Sequence, residues 1–165
     1  FTHTGYELGV HMAALPSNKV IYGYSKDYEL QVLDGEGRHV MTINVDTPRP
    51  QFVAEELTDY KRFDMPSPEF KPYFYRIMSD SEGRIYVQRT QNLEGIRGYG
   101  PLERKEEAGD VFGADGCFLY RIQLPPNTAV IRDGFLYTRS LDEEEGTEYV
   151  HRYKIRNWGD IKKEK

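Results

Sequence analysis

Short apolar runs separated by polar turns recur along the chain, and three of them share one β word, an apolar residue followed by tyrosine. The copies are Val20-Ile21-Tyr22, Arg84-Ile85-Tyr86-Val87 and Phe135-Leu136-Tyr137. Each follows a turn signal: Pro16-Ser17-Asn18, Ser81-Glu82-Gly83 and Arg132-Asp133-Gly134. β-Branched and aromatic residues in short runs, bounded by Gly, Pro, Asn, Asp and Ser, predict strands. Two copies lead into a second shared phrase, an acidic-Gly turn followed by an apolar strand. Leu33 to Ile43 reads against Phe112 to Ile122 in this way. Internal repetition decides architecture before any local reading does.

The pattern predicts three units. The first covers residues 8–43, with strands Leu8 to Leu15, Lys19 to Tyr24, Tyr28 to Leu33 and Arg38 to Ile43. The second covers 73–124, with strands Tyr73 to Ser79, Arg84 to Arg89, one around Asp110 to Phe112, and Cys117 to Leu124. The third covers 129–155, with Ala129 to Arg132, Phe135 to Arg139 and Tyr149 to Ile155, and is one strand short. Residues 44–72 form a linker or insertion. Gln51 to Leu57 predicts a short helical turn there, and Pro66, Pro68 and Pro72 stop its extension. Gln91 to Gly109, with four glycines and Pro101, predicts a long irregular loop. Such loops are uncommon in compact domains and tend to be functional. Residues 156–165 are expected to be a frayed tail.

Composition supports strands. The chain has 165 residues, 38% apolar, with 13 Tyr and 8 Phe carrying much of that fraction. A net charge of -5, with no Lys/Arg stripe interleaved with aromatics, leaves no footprint for nucleic acid. No apolar run approaches the roughly 20 residues of a membrane-spanning helix. Cys117 is the single cysteine, so an intrachain disulfide is excluded. Its place in an apolar strand predicts a small buried hydrophobe. One cysteine is compatible with either the cytoplasm or an exported site. Phe1 is not a natural start, so the chain reads as a fragment or processed product.

Four-stranded antiparallel units in tandem are the blades of a β-propeller. Lys71 to Val87, Lys-Pro-Tyr-Phe-Tyr-Arg-Ile-Met-Ser-Asp-Ser-Glu-Gly-Arg-Ile-Tyr-Val, resembles the blade opening of six-bladed propellers of the NHL and TolB-like kind. The resemblance implies an all-β fold and three blades, the C-terminal half of a propeller, with the last blade lacking its outer strand. It also implies a partner: the missing N-terminal half, or a second copy of the chain. Enzymes of this kind include lactonases and lyases, but no lactonase-like set of Glu, Asn and Asp can be placed on this sequence. A parent of this kind would fit export to a periplasm or cell surface. A closed barrel of lipocalin size is the competing architecture. It needs no internal repeat and accommodates the long linker poorly.

Alternating strand direction places the 44–72 linker and the 91–109 loop on one face. Binding residues concentrate on loops held by a rigid scaffold. That face would offer Tyr60, Lys61, Arg62, Arg97, Tyr99 and Arg104, while the innermost strands would offer His11, Tyr75, Arg76 and Arg132 to a central channel. Arg supplies forked donors and Tyr a stacking face, which suits anionic or sugar-like ligands. Tyr75, Arg76, Arg97 and Tyr99 are the expected ligand-binding set. The four histidines show no paired spacing for zinc, and the 142–145 acidic run lacks the alternating donors of a calcium loop. No metal, cofactor or catalytic set is legible. The expected function is a non-catalytic binding module for a small molecule, glycan or protein. The alternative is a propeller hydrolase or lyase whose other site residues lie in a missing half.

Overall fold

The computed structural model describes residues 8–52, 57–58, 69–90, 107–125, 127–142 and 144–158, with Glu107 described by its backbone only. Among these, eleven strands form three antiparallel sheets in tandem, of four, four and three strands. Sheet 1 holds β1 (Val10–Leu15), β2 (Lys19–Tyr24), β3 (Glu29–Leu33) and β4 (His39–Asn44) in sequence order. Sheet 2 holds β5 (Phe74–Ser79), β6 (Ile85–Arg89), β7 (Glu107–Phe112) and β8 (Phe118–Leu124), also in order. Sheet 3 holds β9 (Thr128–Arg132), β10 (Phe135–Asp142) and β11 (Thr147–Lys154). Each sheet is therefore a meander, and the third stops one strand early, as the repeat predicts. Residues 57 and 58 of the linker are helical, whereas 53–56, 59–68 and the greater part of the predicted loop, 91–106, lie outside the described residues.

Two apolar clusters hold the sheets together. The first joins Ile21, Leu30, Val32 and Ile43 of sheet 1 to Phe74, Ile77, Ile85, Val87 and Phe112 of sheet 2. The second joins Met78, Tyr86, Val111 and Leu124 of sheet 2 to Ile131 and Leu136 of sheet 3. Sheet 2 thus feeds both clusters, one from each face. In β6, Ile85 and Val87 point to the first cluster and Tyr86, between them, to the second. That is why its sequence is a continuous apolar run rather than an alternation. Burying each of these large side chains contributes about 1.5–3 kcal/mol. At Gly23 the sheets approach so closely that a Cβ would stand 2.7 Å from Leu30 Cδ2 and 3.0 Å from Phe74 Cζ.

A turn repeats with the sheets. Asp34-Gly-Glu-Gly-Arg38 joins β3 to β4, and Asp80-Ser-Glu-Gly-Arg84 joins β5 to β6. In both, one aspartate oxygen accepts the backbone N–H groups two and four residues on, and the other accepts the arginine Nε–H, at 2.8 Å and 2.6 Å respectively. Gly37 and Gly83 supply the left-handed backbone, with φ of 79° and 81°. The surroundings differ. Arg38 is exposed, whereas the Asp80–Arg84 pair is buried. Tyr86 Oη also donates to Asp80 at 2.8 Å, and the Arg84 guanidinium lies 4.0 Å from the Trp158 ring centroid. Burial opposes the charge on Arg84, but the Asp80 hydrogen bond raises its pKa above the ordinary value. Burial and the nearby Asp80 raise that of the Tyr86 hydroxyl.

A second buried carboxylate ties sheet 1 to sheet 2. Tyr28 Oη donates to Asp110 Oδ2 at 2.9 Å, and Arg121 Nε donates to Oδ1 at 2.7 Å. Removing one partner of a buried ion pair leaves the other charge stranded, at a cost of about 3–5 kcal/mol. Asp80→Ala is therefore expected to destabilise the fold by about that amount in urea denaturation, and Asp34→Ala, in the same sequence motif, by much less. Equal losses would contradict this account of the turn.

Candidate functional site

The innermost strands of the three sheets are β1, β5 and β9, each the first of its unit. β5 lies beside β1 on one side and β9 on the other. Between them opens a groove of about 460 Å³, lined by Val10, His11 and Met12 of β1, Arg76, Ile77, Met78 and Ser79 of β5, and Ala129 and Val130 of β9.

Two side chains of β5 tie its neighbours in place. Ser79 Oγ donates to the Ala14 carbonyl of β1. The Arg76 guanidinium donates to the carbonyls of Thr128 and Ala129 in β9, at 2.5 Å and 3.3 Å. A β-bulge makes the second tie available. Phe74 pairs with Arg89 and Arg76 with Gln88, so Tyr75 is the extra residue. In an unbroken strand residues 74 and 76 share a face. The bulge shifts the phase, so that Phe74 and Ile77, three apart, both enter the first cluster. Arg76 is released to the sheet 3 side, and bulges characteristically re-aim side chains in this way.

Arg76 has two carbonyl partners and, among the described residues, no carboxylate within ion-pair reach. Among the described residues its positive charge has no counter-charge, in a groove whose lining mixes Val10, Met12, Met78 and Val130 with His11 and Ser79. Two of its five N–H donors are engaged on the carbonyls, which leaves others for a ligand. His11 is half-buried and sits edge-on to Phe74 at 5.6 Å between ring centroids. Burial lowers its pKa, and its Nε2 is buried with no hydrogen-bond partner among the described residues.

Of the four residues expected in the channel, the groove brings together His11 and Arg76. Tyr75 sits half-buried at the bulge and is not a lining residue. Arg132 ends β9, exposed, with Nε 3.2 Å from Asp133. Arg97, Tyr99 and Arg104, with Tyr60, Lys61 and Arg62, lie outside the described residues. Cys117 corrects the sequence reading: it is exposed. It follows the Gly113–Gly116 turn before β8, the last strand of sheet 2. Sequence reasoning missed Val10, Met12, Met78, Ser79 and Val130. The available signal was their place in the first strand of each unit. Among the described residues no three His, Cys, Asp or Glu side chains converge as a metal site.

No protein-family model matches the chain, and no curated protein matches it. The groove therefore has to be read from its own chemistry, beginning with His11. Its folded-state pKa is lowered, so the unfolded chain takes up the proton first as pH falls. Stability from this residue is complete above the ordinary histidine pKa and declines as pH drops below it. His11→Phe should lose less stability than the parent protein between pH ~7 and pH ~5, measured by urea denaturation at each pH. An identical decline in both would show that His11 is not the group responsible.

Proposed function

We propose that the chain is a non-catalytic binding module, formed from blades of a six-bladed β-propeller of the NHL or TolB-like kind, and that its ligand occupies the groove between the inner strands. The tandem meanders with converging first strands support the propeller reading. One observation carries the ligand reading: Arg76 is freed from core register by the bulge and meets the groove with no carboxylate partner among the described residues. A forked guanidinium with free donors suits a carboxylate or similar anion. Val10, Met12, Met78 and Val130 supply apolar contact for the body of the ligand. The ligand class is therefore a small molecule with one anionic group and an apolar or sugar-like body. Arg97 and Tyr99 are the proposed contributors from the loop-rich face.

A hydrolase or lyase completed by residues outside this chain is the second reading. The observation favouring it is the His11 imidazole, whose lowered pKa suits a neutral base.

Titration calorimetry against small carboxylates and sugar acids tests the binding reading. One compound of this class is expected to bind, and Arg76→Gln to weaken it by about 10–100-fold, the loss of a charged hydrogen bond. Because Arg76 also holds β9, circular dichroism of the variant and its binding of the uncharged analogue serve as controls. Failure of every anion, sugar and peptide to bind would overturn the proposal, as would unchanged affinity in the variant.

A further inference from the structure

Among the described residues, the large apolar side chains that remain exposed sort by sheet. Sheet 1 exposes Val10, Met12, Val20, Tyr24 and Val40. Sheet 3 exposes Val130, Leu141, Tyr149, Val150 and Tyr153. Sheet 2, covered on both faces, exposes Phe118 alone. The register assigns Val10, Met12, Val20 and Tyr24 of sheet 1 to one face. Val10 pairs with Tyr24, Met12 with Tyr22, and Ala14 with Val20, all opposite the face that carries Ile21 into the first cluster. In sheet 3, Val130 pairs with Tyr137, and Arg139 with Val150, on the face turned away from Leu136 and sheet 2.

The two free faces are of different kinds. The sheets stack front to back: sheet 1 presents its front to the back of sheet 2, and sheet 2 its front to the back of sheet 3. What stays open is the back of sheet 1 and the front of sheet 3, which holds Val130, Leu141 and Val150; Tyr149 and Tyr153 share the Leu136 face and are exposed there, where β11 extends past the second cluster. The first lacks Lys and Arg in its strands and carries Glu29. The second carries Arg132, Arg139, Arg152 and Lys154 against Glu148. Each face is thus complementary in position and in charge to the other, not to itself.

We infer that two copies of this chain pair, the front of sheet 3 in each packing on the back of sheet 1 in its partner. The stack curves, because its inner strands converge on one groove. A two-fold axis through that groove then satisfies both contacts at once and leaves no free face. Front-to-back contacts close into a ring when the rotation permits and otherwise run on as filaments. Pairing would turn the open groove into a channel lined by His11 and Arg76 of both copies. The inference does not depend on any ligand there, so the two proposals fail separately.

Sedimentation velocity of the wild-type chain over a range of concentrations is the test. The expected result is a dimer. A monomer at every concentration overturns the inference, as do filaments. Val20→Arg spoils the sheet 1 face and Val150→Asp the sheet 3 face; both side chains are exposed, at 40% and 71%, and circular dichroism checks that each variant is folded. Each variant alone should dimerise at least about tenfold more weakly. An equal mixture should regain dimer, because one intact face of each kind remains between the two variants. A mixture that stays monomeric would mean that like faces pair with like, and would overturn the front-to-back arrangement.

Discussion

A β-sheet has two faces, and an apolar face without cover is unfavourable in water. In this protein that constraint falls unequally on three sheets built from the same repeated word. Ile85, Tyr86 and Val87 of the middle sheet are all buried, because clusters form on both sides of β6. In the end sheets only one residue of each word, Ile21 or Leu136, is buried. Local sequence is nearly constant; the neighbours decide what it contributes. Sheet 2 is consequently the folding core, and the end sheets borrow their order from it.

Polar chemistry reinforces the same hierarchy. Among the described residues the two buried carboxylates, Asp80 in the β5–β6 turn and Asp110 in β7, both belong to the second unit. Asp80 holds Arg84, whose guanidinium in turn meets Trp158 near the end of the described chain. Asp110 reaches across to Tyr28 of sheet 1. Arg76 and Ser79 of β5 perform the equivalent service at the inner rim, donating to backbone carbonyls of β9 and β1. The groove is therefore walled, among the described residues, by strands that are tied to one another.

Much of the fold was legible in the sequence. The repeated apolar-Tyr word and its turn signals locate all eleven strands to within a few residues, because period-two patterning and Gly-containing turns are local physics. That the third unit has three strands among the described residues was legible for the same reason. The site was legible only in part. His11 and Arg76 could be expected at the inner rim from strand order. The bulge at Tyr75 could not, since it depends on how Phe74 packs against His11 and Tyr28 across the sheets. Cys117 misled because an apolar neighbourhood in sequence says nothing about whether a further sheet lies above it. The different fates of Asp34 and Asp80 were likewise invisible: Asp-x-Glu-Gly-Arg motifs that differ at one position, Gly35 against Ser81, and in what packs over them.

Native-state hydrogen exchange tests the central claim most directly. If the doubly covered middle sheet is the core, the slowest backbone amides lie in β6 and β7, notably at Ile85, Val87 and Val111, and exchange only by global unfolding. Amides of β11, exposed along its whole length, exchange fastest among the strands. Slowest exchange in β4 or β11, or uniform protection across the three sheets, would contradict the account.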